Sequence, residues 1–279
     1  MHKDGRWARE ILQLQKPEGH WGYFHTLSET KKFPVTTEQA LRRLEILGYT
    51  LEDEPIARAV VYMLDCLEHR REIPDRREKL HDWDVFTDLM LAAWIRRFTG
   101  DCPAANRVAE RWAGVITKAF AAGEYDSAAY IRSYENTFGL KPAGGRLTDF
   151  VSFYQISLLI DALDEKTERA MVTYVLNHEA GIYYLYEKIL NRLPESFASR
   201  EANRYLSAVE LLAEYRSGRE SLHFVANWLE EQQNDRGMWD MGSLVKDQIQ
   251  FPLSDSWRKA DTRESDCTER VRRILNRIG

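Results

Sequence analysis

The sequence predicts an all-α chain built as a ring of about five helical hairpins. Three observations lead there. A short motif recurs at regular spacing, two sets of helices with different apolar faces alternate along the chain, and two of the long linkers between them carry breakers. The motif is Gln-x3-Gly-x-Trp. It stands intact at Gln15, Gly19 and Trp21, and again at Gln233, Gly237 and Trp239. Weaker copies are Asn177, Gly181 and Tyr183, and then Gly123 with Tyr125 alone. The gap between the first two glycines is close to twice each later gap, so a missing copy is expected near position 71, in "HRREIP". The repeat unit is about 55 residues, the size of a helical hairpin with long connections.

Each element follows from local pattern. The first set of helices precedes the motifs: 6–15, 53–69, 103–120, 167–178 and 220–233. Trp7, Ile11 and Leu14 share one face of the first, and Leu222, Val225, Trp228 and Leu229 share one face of the last. Pro55 suits a first helical turn, and each motif glycine sits where a left-handed residue closes a helix. The second set comprises 36–48, 84–98, 148–163, 199–215 and 266–278, several with wider apolar faces, as for helices buried on more sides. Thr36 and Gln39 form a capping box. An extra helix is expected over 126–138. The remaining linkers (22–35, 126–147, 184–198 and 240–265) are long, and long ordered loops are often functional. Pairing the last helix with the first closes the ring, giving one domain over residues 1–279.

Composition narrows the function classes. Apolar residues are 44% and charged residues 30%, as in an ordinary globular protein of 279 residues. The net charge of −5 and the lack of a long basic run argue against a nucleic-acid surface. Eight Trp, thirteen Tyr and eleven Phe supply more aromatic surface than a core of this size needs. Cys66, Cys102 and Cys267 are far apart and odd in number, which excludes a disulfide framework and points to a reducing compartment. The N-terminus has no apolar signal stretch and no run approaches a membrane span, so a cytoplasmic protein without an integral membrane segment is expected. The seven histidines (2, 20, 25, 69, 81, 178 and 223) show no ligand spacing, and no P-loop or G-x-G-x-x-G appears. No metal and no cofactor is expected.

The Gln-x3-Gly-x-Trp repeat resembles that of terpenoid cyclases of the squalene–hopene and oxidosqualene type, whose fold is shared by protein prenyltransferase β subunits. The resemblance covers most of the chain. It implies an α/α toroid, an inner ring of parallel helices inside an outer ring. The motif then sits at outer-helix ends, where the glutamine satisfies backbone groups and the tryptophan stacks on it. It also implies that inner-helix N-termini meet at one end of a central cavity, where helix dipoles favour anionic groups. The linkers entering the second set supply that end: His81, Asp82, Trp83, Asp84 and Phe86; Arg146, Asp149 and Tyr154; Arg200 and Glu201; Asp255, Trp257, Arg263, Asp266 and Cys267.

Two acidic stretches carry the chemistry that the resemblance implies. "SDCTE" (265–269) is similar to the Asp-Cys-Thr-Ala-Glu acid motif of oxidosqualene cyclases: Asp266, Cys267 and Thr268 match, while Glu269 stands for Ala and Arg270 for Glu. "DWDV" (82–85) is similar to the Asp-x-Asp-Asp motif of bacterial class II cyclases, with Val85 in place of the last Asp. Both also read as helix caps, Asp266 with Glu269 as a capping box and Asp82 or Asp84 as an N-cap. Protonating an alkene or epoxide needs a neutral, strongly acidic carboxyl, aromatic faces for the cation and exclusion of water. Asp266, Asp82 and Asp84 are the candidate acids. Cys267, Trp83, Phe86, Tyr154, Arg200, Glu201 and Trp257 are candidate substrate-binding residues, though aromatics more often simply fill a core. The prenyltransferase zinc set is not matched, because no Asp-x-Cys occurs, and the aspartate-rich diphosphate–magnesium motif is absent.

Three readings follow. The first is a small class II-type isoprenoid cyclase acting on an apolar isoprenoid-like molecule. The second is a non-catalytic toroid that binds an apolar ligand or a partner protein, consistent with a chain about half the length of the two-domain cyclases it resembles. The third is an α/α-toroid carbohydrate lyase or hydrolase, for which His81, Tyr154 and Arg200 suit proton abstraction beside a sugar carboxylate. A polar cavity with a carboxylate pair favours the third reading, a deep aromatic one with one buried carboxylate the first, and a filled centre a structural role.

Overall fold

The computed structural model describes residues 2–26, 34–78, 82–143 and 145–279, with the side chains of 145 and 146 outside the description. The described residues are all-helical, with two isolated β-bridges and no strand. In chain order the helices are α1 (Arg6–Leu12), α2 (Thr37–Ile46), α3 (Glu54–Leu67), α4 (Trp83–Thr99), α5 (Pro103–Ala119), α6 (Ser127–Phe138), α7 (Gly145–Thr148), α8 (Phe153–Leu158), α9 (Glu165–Asn177), α10 (Arg200–Leu212), α11 (Arg216–Ser221), α12 (His223–Glu231) and α13 (Ala260–Ile278). The two expected sets are both present, and so is the extra helix over 126–138. The Thr36–Gln39 capping box opens α2, with the Thr36 hydroxyl accepting from Gln39 N and the Gln39 side chain accepting from Thr36 N.

Several helices are shorter than expected and α7 and α11 were not expected, and two depart most from the expected bounds. The segment 148–163 yields only the short α8, because Asp149 accepts a hydrogen bond from Val151 N at 3.0 Å and Ser152 is extended in a bridge to Tyr183. The last helix begins at Ala260 rather than 266, since no breaker follows Pro252 and Arg263 is clamped bidentately by Asp240 at 2.7 and 2.6 Å.

The repeat motif binds helix ends together. The Trp21 indole N–H donates to Ile11 O, four residues before Gln15, and Trp21 N donates to the Thr37 hydroxyl in the first turn of α2. The second copy does the same: the Trp239 indole donates to Leu229 O, four residues before Gln233, and Trp239 N donates to Thr268 Oγ1 in α13. Both tryptophans are buried. Gln15 adds an inter-helix tie, donating to Gly19 O and to Pro55 O in the first turn of α3 while accepting from Arg58. In the degraded copy Tyr183 is exposed, and Asn177 bonds within α9 and to Asn191.

Helices α3, α5 and α8 pack on α4, α1 on α2, α9 on α11, and α12 on α13. The two ends of the chain meet. The Trp7 indole donates to Ser254 O, Arg6 N to Asp255, and Arg43 of α2 to the carbonyls of Ile249 and Pro252. Residues of α2, α4, α8, α10 and α13 line a common cavity of about 540 Å³.

Candidate functional site

The cavity wall mixes charged and apolar side chains. Arg42, Glu45, Arg97, Arg204, Glu210, Glu214, Asp247, Arg273 and Arg277 face it beside Trp94, Phe153 and Tyr184. Arg97 is its central tie. It donates to Glu45 of α2, to Glu214 after α10 and to the Ser157 hydroxyl of α8, at 2.6 to 3.2 Å. Burial weakens the Arg97 cation, but Glu45 and Glu214 outweigh it and raise its proton affinity above the ordinary arginine value.

Tyr184 connects this wall to a cluster of titratable groups. Its hydroxyl is 3.3 Å from His25 Nε2. On the other side of the ring, His25 Nδ1 lies 2.9 Å from Glu38 Oε2 and 2.8 Å from the Tyr154 hydroxyl. Tyr154 donates to the same Glu38 oxygen at 2.8 Å, and Arg42 donates to the other at 3.2 Å. Counting donors and acceptors fixes the neutral ring's tautomer. The Tyr154 proton is committed to Glu38, so Nδ1 carries the ring proton and Nε2 offers its lone pair to Tyr184. Burial pushes the Glu38 carboxyl up, but His25, Arg42 and Tyr154 together bring it below its ordinary value. Burial, then the Glu38 charge, holds the Tyr154 phenol well above its usual range.

The sequence builds this cluster from five places. Glu38 is in the first turn of α2 and Tyr154 in the first turn of α8. Phe86, early in α4, packs edge-on against His25 and Tyr154 at 5.7 and 5.6 Å. The loop carrying His25 is held by one side chain, since the Asp75 carboxylate accepts from Phe24 N, His25 N and Thr26 N. Tyr184 sits on a tight loop closed by the Ile182–Tyr186 bridge, and its backbone is in the left-handed region at φ +72°. For a bulky aromatic residue that conformation is strained, and such strain gathers at working sites.

Of the sequence-predicted residues, Phe86 and Tyr154 meet in this cluster. The others lie elsewhere. Asp266 is buried inside α13, where its carboxylate accepts from Leu253 N, Ser254 N and the Ser254 hydroxyl. It is not an N-cap, because α13 starts six residues earlier, and it does not line the cavity. Cys267 accepts from Met241 N, and burial pushes its thiol up to about 12, as for a structural cysteine. Trp257 stacks on Phe251 and donates to Ser243 O, within the core. Asp82 caps α4 through Val85 N, its second oxygen buried and without a partner among the described residues. Asp84 is exposed and paired with Arg77, and Trp83 packs beside Phe86. Arg200 is exposed and donates to Leu244 O. Glu201 accepts from Tyr186 and Lys188. Asp149 pairs with His178 at 2.8 Å, Asp255 accepts from Arg6 N, and Arg263 is held by Asp240. His81 and the Arg146 side chain lie outside the described residues.

His25, Glu38, Asp75 and Tyr184 escape sequence reasoning because no spacing joins them. Glu38 is hidden inside a capping signal, and Tyr184 inside a degraded repeat. Among the described residues no group of three or more His, Cys, Asp or Glu side chains is disposed to hold a metal ion, and no helix is long and apolar enough to cross a membrane. Compared with family models, with curated proteins and with solved structures, the chain matches none.

Proposed function

We propose that this chain is an α/α-toroid enzyme of the lyase or hydrolase kind, acting by proton transfer on a polar, sugar-like molecule in its central cavity. The observation that carries this is Tyr184. It is both part of the cavity wall and in contact with a histidine whose tautomer a carboxylate sets. Tyr184 is the group that meets the ligand, and His25 Nε2 receives or returns its proton. Glu38 stabilises the imidazolium that forms while the proton resides on His25. Tyr154 and Arg42 keep Glu38 ionised, and Asp75 is a positioning residue for the His25 loop.

The isoprenoid-cyclase reading has less support. It needs a carboxylic acid facing an apolar cavity, and none of Asp266, Asp82 and Asp84 lines this one, whose wall is rich in charge. A non-catalytic toroid gives no role to a strained Tyr184 beside His25. The test is turnover by the full chain against a panel of acidic and neutral oligosaccharides, with squalene and shorter linear isoprenoids in parallel. Tyr184→Phe and His25→Ala are expected to lower kcat by about a hundredfold or more, as loss of a general acid–base group does. Cyclised isoprenoid product that survives both substitutions overturns the proposal, and so does oligosaccharide turnover unchanged in either variant.

A further inference from the structure

The cavity's hydrogen-bonding capacity is unbalanced. Its four carboxylates are already committed. Glu45 and Glu214 are held by Arg97, Glu210 receives a bidentate pair from Arg270, and Asp247 accepts from Asn203 and from the backbone of 249–251. Of its cations, Arg97 is spent on those same carboxylates, but the other four are not. Arg273 makes no hydrogen bond or ion pair among the described residues, and Arg277 reaches Glu214 only at 3.9 Å. Arg204 gives one N–H to Leu185 O and stands 3.9 Å from Glu187. Arg42 spends one donor on Glu38 while its guanidinium lies 4.5 Å over the Phe153 ring at the cavity wall. A cavity whose uncommitted charged groups are arginines selects a ligand rich in acceptors and negative in charge, and planar guanidinium groups match oxyanions best.

We infer that the α10–α13 side of the cavity is an oxyanion subsite and that the ligand is an acidic saccharide, its carboxylate held by Arg273 and Arg277 with Arg204 and Arg42 flanking. The inference deepens the reading of the cavity as the reaction site and rests on it. About 540 Å³ is room for one small ligand of that kind. The arginines are drawn from α2, α10 and α13, so the subsite exists only when these helices are assembled around the cavity.

Binding tests this without turnover. The full chain is titrated calorimetrically at low salt with digalacturonate, with cellobiose as the neutral counterpart and inorganic phosphate as a second oxyanion. Digalacturonate is expected to bind at least about tenfold more tightly than cellobiose, and to weaken as salt rises. The exposed double substitution Arg273→Gln with Arg277→Gln is expected to weaken it by about tenfold or more, while His25→Ala leaves it in place. Equal affinity for the acidic and neutral sugars, or unchanged binding in the double variant, overturns the subsite. Phosphate binding more tightly than digalacturonate overturns the saccharide assignment. A binding isotherm that holds while Tyr184→Phe leaves turnover intact sinks the proton relay and not the subsite.

Discussion

Gly19 and Gly237 occupy the same place in two copies of one motif, yet they face different surroundings. At Gly19, φ is +102° and a Cβ would stand 2.4 Å from the carbonyl oxygen of Arg58. At Gly237, φ is +67° and the nearest atom is the Gln233 side chain at 3.9 Å. Gly237→Ala therefore meets left-handed strain alone, about 1 kcal/mol. Gly19→Ala meets strain and a backbone collision, and is expected to cost about 3 kcal/mol or more. Chemical denaturation of both variants checks this, and equal losses would show that the α1–α3 approach is looser than described. The motif was only partly legible residue by residue. Trp21, Trp239 and Gln15 act at helix ends, whereas Gln233 is exposed and its side chain makes no hydrogen bond among the described residues. The reacting groups were not legible, because His25 and Tyr184 are brought together only by loops that Asp75 and the Ile182–Tyr186 bridge shape.

At the scale of elements, the first turns of α2 and α8 share a buried carboxylate. Glu38 titrates below its ordinary value of 4.5 in the folded chain. A depressed carboxylate contributes stability that is complete above the unfolded value and is lost as pH falls through the folded one. Stability should therefore decline between about pH 5 and about pH 3 more steeply in the parent than in Glu38→Gln. Denaturation midpoints across that range test it, and parallel profiles would show that Glu38 is not coupled to His25 and Arg42. Helix existence was readable from periodicity, whereas helix bounds were decided by tertiary contacts. The Asp240–Arg263 clamp belongs to the six-residue extension of α13, and the Ser152–Tyr183 bridge cuts α8 short. Asp266 illustrates the consequence. Its short motif suggested either an acid or a cap, and the longer helix makes it an anchor for the 253–254 backbone.

Across the whole molecule, one cation carries the junction of the cavity-lining helices. Arg97 of α4 holds Glu45 of α2, Ser157 of α8 and Glu214 beyond α10, and Glu214 in turn faces Arg277 of α13. The apolar periodicity of the sequence foretold that these helices would form. It did not foretell that a buried charge would join them, since arginine at a helix C-terminus reads as ordinary dipole compensation. Removing the guanidinium leaves two carboxylates facing each other in a poorly solvated place, so Arg97→Met is expected to cost about 3–5 kcal/mol. If that cost is the stranded charge rather than lost packing, replacing Glu45 and Glu214 by glutamine in the same chain returns a large part of it. Thermal and denaturant unfolding of the single and triple variants separates the two causes. A triple variant no more stable than Arg97→Met would assign the junction to shape. Recovery would assign it to charge, and would mean that the helices around the cavity are held by the same kind of electrostatics that the proposed oxyanion subsite uses.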